Sequence, residues 1–128
     1  MLNVNPETVC FLINKAREFH VKEGIVIPDV PNSPADDWGR QALAGYLDDA
    51  TYAEFAATFN DLEPDQQHEV VALLWLGRDD YSITEWVEAV AHARNNWTPD
   101  TPTYLLAHPL LADFLQEGLL AHGYRCEE

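Results

Sequence analysis

Two pairs of residues place a carboxylate and an imidazole on one face of a predicted helix. Asp65 and His68 are three residues apart, and Glu88 and His92 are four residues apart. Side chains at these spacings are neighbours on a helix surface. A carboxylate beside an imidazole can ligate a metal ion or exchange protons with a substrate. These four residues are therefore candidate ligands for a metal-binding protein or an enzyme.

Neither pair completes a known helical metal motif. The zinc-protease helix needs two histidines at i and i+4, and Ala72 stands four residues after His68. Di-metal bundle sites combine Glu-x-x-His pairs with glutamates from two further helices, and neither pair fits that pattern in full. Glu88 and His92 also fall opposite the apolar stripe expected for their helix. We favour a solvated acidic surface here, and we predict no catalytic residue and no cofactor.

Three other polar sites have a structural interpretation that we favour over a catalytic one. The segment Arg78-Asp79-Asp80 could hold a cation or a basic residue of a partner, but it also suits a helix end followed by a turn. His108 precedes a proline at a predicted helix start. Cys10 lies in a helical pattern, and we expect a small core residue rather than a redox or pairing role. Cys10 and Cys126 alone do not make a disulfide framework.

The element around which the chain is organised is a helix predicted over residues 64–76. Pro64 suits its first position, because proline lacks an N–H that would have no partner there. Gly77 can take the left-handed conformation that closes a helix. Residues 70–76 are apolar without interruption, so every side of these two turns must be buried. We predict a buried central helix with other helices packed on all sides.

Signals for further helices recur along the chain. Proline at a first helical position, or a Ser/Thr-x-x-Glu capping box, precedes apolar residues at helical spacing. An extended segment with two prolines is predicted near residues 25–33, and no segment alternates with the period of a strand. The prediction is an all-α, compact single-domain bundle of six to seven helices over residues 1–128, frayed at about 125–128. The predicted helix starts are Pro6, Pro34, Thr51, Pro64, Ser82, Thr101 and His108.

Several details of these helices can be compared directly with a structure. We expect Asn5 to cap the first helix and Gly123 to close the last one. We also expect Thr51 to cap its helix in a capping box with Glu54, and Ser82 to do the same with Glu85. The apolar stripe of the helix after Ser82 is predicted to contain four residues, and the face of the last helix is predicted to start at Leu110. The four stripe residues are Ile83, Trp86, Val87 and Val90.

Composition excludes several classes of function. A chain of 128 residues with 47% hydrophobic residues fits one domain with a core of its own. Seven basic and 22 acidic residues give a net charge of −15, which repels nucleic-acid phosphates and anionic membranes. No run approaches the ~20 apolar residues of a membrane span, and the first residues lack the pattern of a signal peptide. We expect a cytoplasmic protein that binds neither nucleic acid nor membranes directly.

Four segments resemble a known family. Residues 44–49 (AGYLDD), 71–78 (VALLWLGR), 104–106 (YLL) and 109–113 (PLLAD) resemble domain-of-unknown-function family 3775, a group of small bacterial proteins, over nearly the whole chain. These are packing and capping residues rather than a catalytic signature. The resemblance implies a single-domain, mostly helical bacterial protein. It supplies no functional residue, because the family has no established activity.

Three functions are compatible with these observations. We favour a non-enzymatic module for protein–protein interaction or self-association, because the chain is acidic, lacks an organised site and has many large apolar residues. The candidate surface residues are Ile25, Val26, Trp97 and Tyr104. The first alternative is a metal-binding protein or enzyme that uses the His/carboxylate pairs. The second is an acidic DNA mimic that occupies a DNA-binding protein.

Overall fold

The computed structural model describes residues 2–23 and 49–126 of the chain. These ranges contain six α-helices, one 3-10 turn and no strand, so the predicted all-α class is confirmed. The predicted extended segment near 25–33, the helix predicted from Pro34, and Ile25 and Val26 lie outside the described residues. The helices are α1 (Pro6–Glu23), α2 (Ala50–Asn60), α3 (Pro64–Gly77), α4 (Trp86–Asn95), α5 (Thr101–Leu106) and α6 (Leu111–Ala121), and the 3-10 turn is Ile83–Glu85.

The helix predicted over residues 64–76 is the centre of the structure. It is α3, and all residues from Val70 to Leu76 are buried. α4 and α6 pack directly against it, and α1 packs against α2 and α6. α2 also contacts α5. The uninterrupted apolar run is therefore surrounded by other helices, as the sequence predicts.

Two glycines allow α3 and α6 to approach each other closely. A Cβ atom added to Gly77 would lie 1.8 Å from the backbone oxygen of Phe114, and one added to Gly118 would lie 2.4 Å from that of Leu73. Any larger residue would push the helices apart. The predicted left-handed conformation of Gly77 is wrong, because Gly77 is the last residue of α3 and Asp79 has the positive φ of 68°.

The helix caps agree with the sequence at two positions and differ at one. Asn5 Oδ1 accepts a hydrogen bond from the Glu7 N–H at 2.9 Å, as expected for the start of α1. The predicted Ser82–Glu85 capping box is present, although it opens the 3-10 turn rather than α4. The predicted Thr51–Glu54 box is wrong. Asp49 caps α2 instead, and its Oδ1 accepts from the N–H groups of residues 51 and 52 at 2.8 and 3.1 Å.

The buried face of α4 differs from the predicted apolar stripe. Its fully buried residues are Ala89 and Ala93. Of the predicted stripe, Trp86 is partly buried against the core and Val90 is partly buried, whereas Val87 is 80% exposed and Ile83 is 44% exposed. α4 packs against α3, and the small alanines on its buried face permit close helix contact. Leu110, predicted to begin the face of the last helix, is also exposed.

A disulfide between Cys10 and Cys126 joins α1 to the segment after α6. Their Cα atoms are 5.6 Å apart, and 116 residues separate them in sequence. The prediction that Cys10 is a small core thiol without a pairing role is therefore wrong. The two cysteines are far apart in sequence, and their pairing depends on the packing of α1 against α6.

Candidate functional site

A surface groove of about 590 Å³ lies between the end of α3, the 3-10 turn and the last turns of α6. Leu76 lines it as a buried residue, and Ile83 and Leu120 line it as apolar side chains that are 44% and 40% exposed. Its volume lies within the range of typical binding sites, about 300 to 1,000 Å³. We call this feature the Ile83–Leu120 groove. Its lining consists of Leu76, Gly77, Asp79, Tyr81, Ser82, Ile83, Glu117, Leu120 and Ala121.

The chain reversal after α3 forms one wall of the groove. Asp79 takes the left-handed conformation with a φ of 68°, which aspartate tolerates better than most residues. The Asp80 N–H then donates to the Trp75 carbonyl at 2.9 Å. The Ser82 N–H donates to the Glu85 carboxylate at 2.8 Å and holds the 3-10 turn. These local bonds keep Ile83 at the surface.

The rim of the groove carries negative charge. Asp79 and Glu117 are exposed, and neither forms a salt bridge within the described part of the chain. The nearby cation, Arg78, donates from Nη2 to the Asp80 carboxylate at 2.6 Å. The two rim carboxylates therefore remain available to a positively charged group.

A polar network that runs from the exposed Asp80 to the buried His108 lies beside the groove at the end of α3. The Arg78 guanidinium donates from Nη1 to Nε2 of His108 at 2.9 Å and from Nε to the Asp80 carboxylate at 2.9 Å. Nδ1 of His108 lies 2.9 Å from the Tyr104 carbonyl oxygen. A carbonyl only accepts, so Nδ1 carries the proton and Nε2 accepts from Arg78. Burial and the positive charge of Arg78 lower the pKa of His108 to about 4.

This network has the geometry of a clamp rather than of a catalytic site. His108 is 1% exposed, and both ring nitrogens are engaged by the protein. The Trp75 indole N–H donates to the Tyr104 hydroxyl at 2.9 Å, and burial raises the pKa of that hydroxyl. No free nucleophile or base faces solvent in this network. Its role is to tie the 78–80 turn, and with it one wall of the groove, to α5.

The four candidate metal ligands do not form a cluster. Asp65, Glu88 and His92 are exposed, and His68 is partly buried. In residues 2–23 and 49–126, no group of three or more His, Cys, Asp or Glu side chains could hold a metal ion. Nδ1 of His92 instead lies 2.8 Å from the Tyr81 hydroxyl. Burial, followed by the charge of Arg94, lowers the pKa of His68.

The predicted interaction residues fall into three groups. Trp97 is 41% exposed, as an interaction surface requires, and its indole N–H donates to the Gln67 side-chain oxygen at 2.7 Å. Tyr104 cannot belong to an exposed patch, because it is buried along with the whole of α5. Ile25 and Val26 lie outside the described residues. The sequence analysis did not identify Leu120 as a surface residue. The signal was available, because Leu120 directly follows Leu119 on the apolar face and therefore points away from that face.

Comparisons with known proteins give one match. A protein-family model described as "Protein of unknown function (DUF3775)" matches residues 52–124, which is more than half of the chain. This range includes the groove and the His108 network, whereas both cysteines lie outside it. No curated protein and no solved structure matched. Among the helices of the described ranges, none has the length and apolarity to span a bilayer.

Proposed function

We propose that this chain, which belongs to the DUF3775 family, is a protein–protein interaction module that binds its partner through the Ile83–Leu120 groove. The observation that carries the proposal is the pairing of two large exposed apolar side chains with a concave surface. Exposed apolar residues that share a groove are typical of binding surfaces. Nothing in the groove has the arrangement of a nucleophile, base and oxyanion donor.

The groove offers apolar surface that a partner can cover. Ile83 and Leu120 have about two-fifths of their surface in water. Full burial of such a side chain contributes roughly 1.5–3 kcal/mol, so covering the exposed part of each contributes roughly 1 kcal/mol. The groove is also held by the short-range bonds of the 3-10 turn and by close α3–α6 packing. A preformed surface loses little conformational entropy on binding.

A different protein is favoured over a second copy of this chain. The net charge of −15 makes two copies repel each other. Lys15, Arg17 and Arg78 are already in ion pairs with carboxylates of the same chain. Among the arginines of the described ranges, Arg94 and Arg125 stand outside these ion pairs, so this part of a second copy offers few cations to the acidic rim. Light scattering on the purified protein tests this. A stable dimer would contradict the preference for a different protein and would favour self-association.

The proposed compartment follows from two opposing features. The sequence predicts a cytoplasmic bacterial protein, whereas the Cys10–Cys126 disulfide is typical of oxidising compartments. We propose the cytoplasm, with the two cysteines reduced for most of the time. Acid quenching of cells followed by alkylation of the denatured protein tests this, because both cysteines are partly buried in the folded chain. Cysteines that are fully protected from alkylation would place the protein in an oxidising compartment.

Site-specific photo-crosslinking in cells tests the interaction itself. A photoreactive amino acid replaces Leu120 in the groove or, as the matched control, Val21 on α1, which is 85% exposed. We expect a covalent adduct with a defined protein from position 120 and not from position 21. Equal adducts from both positions, or none from position 120, would refute a role for the groove.

A further inference from the structure

We infer that the partner segment recognised by the Ile83–Leu120 groove is a basic peptide, with apolar side chains that enter the groove and lysine or arginine beside them. This inference rests on the proposed function and specifies the chemistry of its partner. It follows from the combination of an apolar lining with an acidic rim.

Within the described ranges, no cation is paired with the rim carboxylates. Asp79 and Glu117 line the groove and form no salt bridge within the described ranges. The guanidinium of Arg78 is held by Asp80 and His108, so it does not neutralise the rim. A lysine or arginine of a partner would supply the missing opposite charge. Electrostatic complementarity of this kind selects partners and speeds their association.

The negative potential extends along the wall made by Tyr81. Besides burial, the charges of Asp80, Glu85 and Glu88 raise the pKa of Tyr81. Glu85 and Glu88 are exposed and lie on the 3-10 turn and the first turn of α4. The acidic surface therefore continues from the rim onto the adjacent turn. A partner with several basic residues fits it better than one with a single cation.

The apolar lining limits which basic partner fits. Ile83 and Leu120 are both exposed within the groove, and Ala121 adds further apolar surface. A segment made only of lysine or arginine would leave this surface uncovered by apolar groups. An acidic apolar segment would meet repulsion from the rim and from the net charge of −15. A segment with both apolar and basic residues satisfies both features.

Three dye-labelled synthetic peptides test the inference by fluorescence anisotropy with the full chain. The first peptide has leucines at helical spacing, so that they share one helix face, and lysines on the other face. The second has glutamate in place of lysine, and the third has alanine in place of leucine. We expect measurable binding of the leucine–lysine peptide alone. Raising the salt concentration from about 50 mM to about 300 mM should weaken it, because surface charges are screened.

Two variants with the same change in net charge distinguish specific binding by the rim carboxylates from general attraction by the protein's negative charge. The rim variant carries Asp79→Asn and Glu117→Gln, and asparagine tolerates the left-handed conformation at position 79. The control carries Asp61→Asn and Asp65→Asn, which replace exposed carboxylates near the opposite end of α3, roughly 20 Å away along the helix. We expect the Kd to rise about threefold to tenfold in the rim variant and to stay nearly unchanged in the control.

A second pair of variants tests the apolar contact. Leu120→Ser should raise the Kd about threefold or more, because roughly 1 kcal/mol of apolar burial is lost. Val21→Ser, at an exposed position on α1, should leave the Kd unchanged. Circular dichroism of all four variants confirms that they retain the helical fold.

The outcomes distinguish this inference from the proposed function. Equal weakening by the rim and control variants, or equal binding of the alanine–lysine peptide, would show diffuse charge attraction and overturn the inference. Equal binding of the leucine–glutamate peptide would overturn the basic partner while leaving the groove as a binding surface. Binding of none of the peptides would also overturn it. Crosslinking from position 120 reports on the proposed function independently of these peptides.

Discussion

Lowering the pH from 7 to 5 should destabilise this protein through His108. The imidazole is 1% exposed, and its pKa is lowered from 6.5 to about 4 by burial and by Arg78. The unfolded chain takes up a proton at this residue near pH 6.5, whereas the folded protein does so only near pH 4. Between these values the unfolded state binds more protons, so stability falls as the pH falls. Above pH 6.5 the neutral ring is fully tolerated.

The size of the effect follows from the pKa difference. One pKa unit corresponds to about 1.4 kcal/mol, so the shift to about 4 gives a loss of roughly 3 kcal/mol over the whole range. About 2 kcal/mol of this loss falls between pH 7 and pH 5. Most carboxylates remain charged above pH 5, so this interval emphasises the histidines. Burial also lowers the pKa values of His20, His68 and His122, which adds losses of the same sign.

Urea unfolding of wild type and His108→Gln at pH 7, 6 and 5 measures the contribution of His108. Glutamine can donate to the Tyr104 carbonyl and accept from Arg78, but it does not titrate. We expect the variant to be less stable at pH 7 and to lose about 2 kcal/mol less than wild type between pH 7 and pH 5. His68→Gln, at a more exposed histidine, serves as the matched control and should change the pH dependence less.

The refuting result is an unchanged pH dependence. If His108→Gln loses as much stability as wild type between pH 7 and pH 5, His108 is not held neutral in the folded protein. The clamp between Arg78 and α5 would then have a different protonation state. The assignment of the Nε2 atom as the acceptor from Arg78 would also be wrong.

Three further perturbations test the packing around α3. Gly118→Ala should lower the free energy of unfolding by about 1–3 kcal/mol in urea titrations, because the added Cβ would lie 2.4 Å from the Leu73 backbone oxygen; unchanged stability would show that the helices can separate there at no cost. Reduction of the disulfide, which closes a loop spanning 116 positions, should lower it by up to about 4–5 kcal/mol, and Cys10→Ser should make stability insensitive to the reductant. Glu69→Ala should cost about 1–3 kcal/mol, because it removes the acceptor of the N–H groups of residues 3 and 4, which donate to the buried Glu69 carboxylate at 2.7–3.1 Å; a loss of stability no larger than that of an exposed variant such as Glu88→Ala would contradict this.

The parts of the fold that depend on local sequence were predictable. The uninterrupted apolar residues of α3 have only one low-energy environment, which is a buried one. Asn5 caps α1 and the Ser82–Glu85 box opens the 3-10 turn through bonds that span a few residues, and Gly123 has the positive φ of 87° expected after the last helix. In each case the interacting groups are close in sequence. The pattern of residue types along the chain was therefore enough to predict these features.

The predictions of buried and exposed residues were wrong where burial depends on contacts between segments that are far apart in sequence. The hydrophobicity of Ile83 and Val87 suggested a buried stripe on α4, but the small Ala89 and Ala93 lie on the buried face instead. Tyr104 was predicted to lie at the surface, but its hydroxyl accepts a hydrogen bond from the Trp75 indole N–H, 29 residues away in sequence. Such a partner cannot be identified from spacing along the chain. Hydrophobicity ranks residues by transfer energy and does not record how closely two helices must approach.

The groove follows from the same close approach. Gly77 and Gly118 bring α6 against α3, which places Leu120 opposite the turn that begins at Asp79. Ile83, on the 3-10 turn held by the Ser82–Glu85 bond, remains at the surface. The residues that line the groove thus come from two segments more than 30 positions apart in sequence. A substitution that separates α3 from α6 should therefore weaken partner binding even though it changes no residue that contacts the partner.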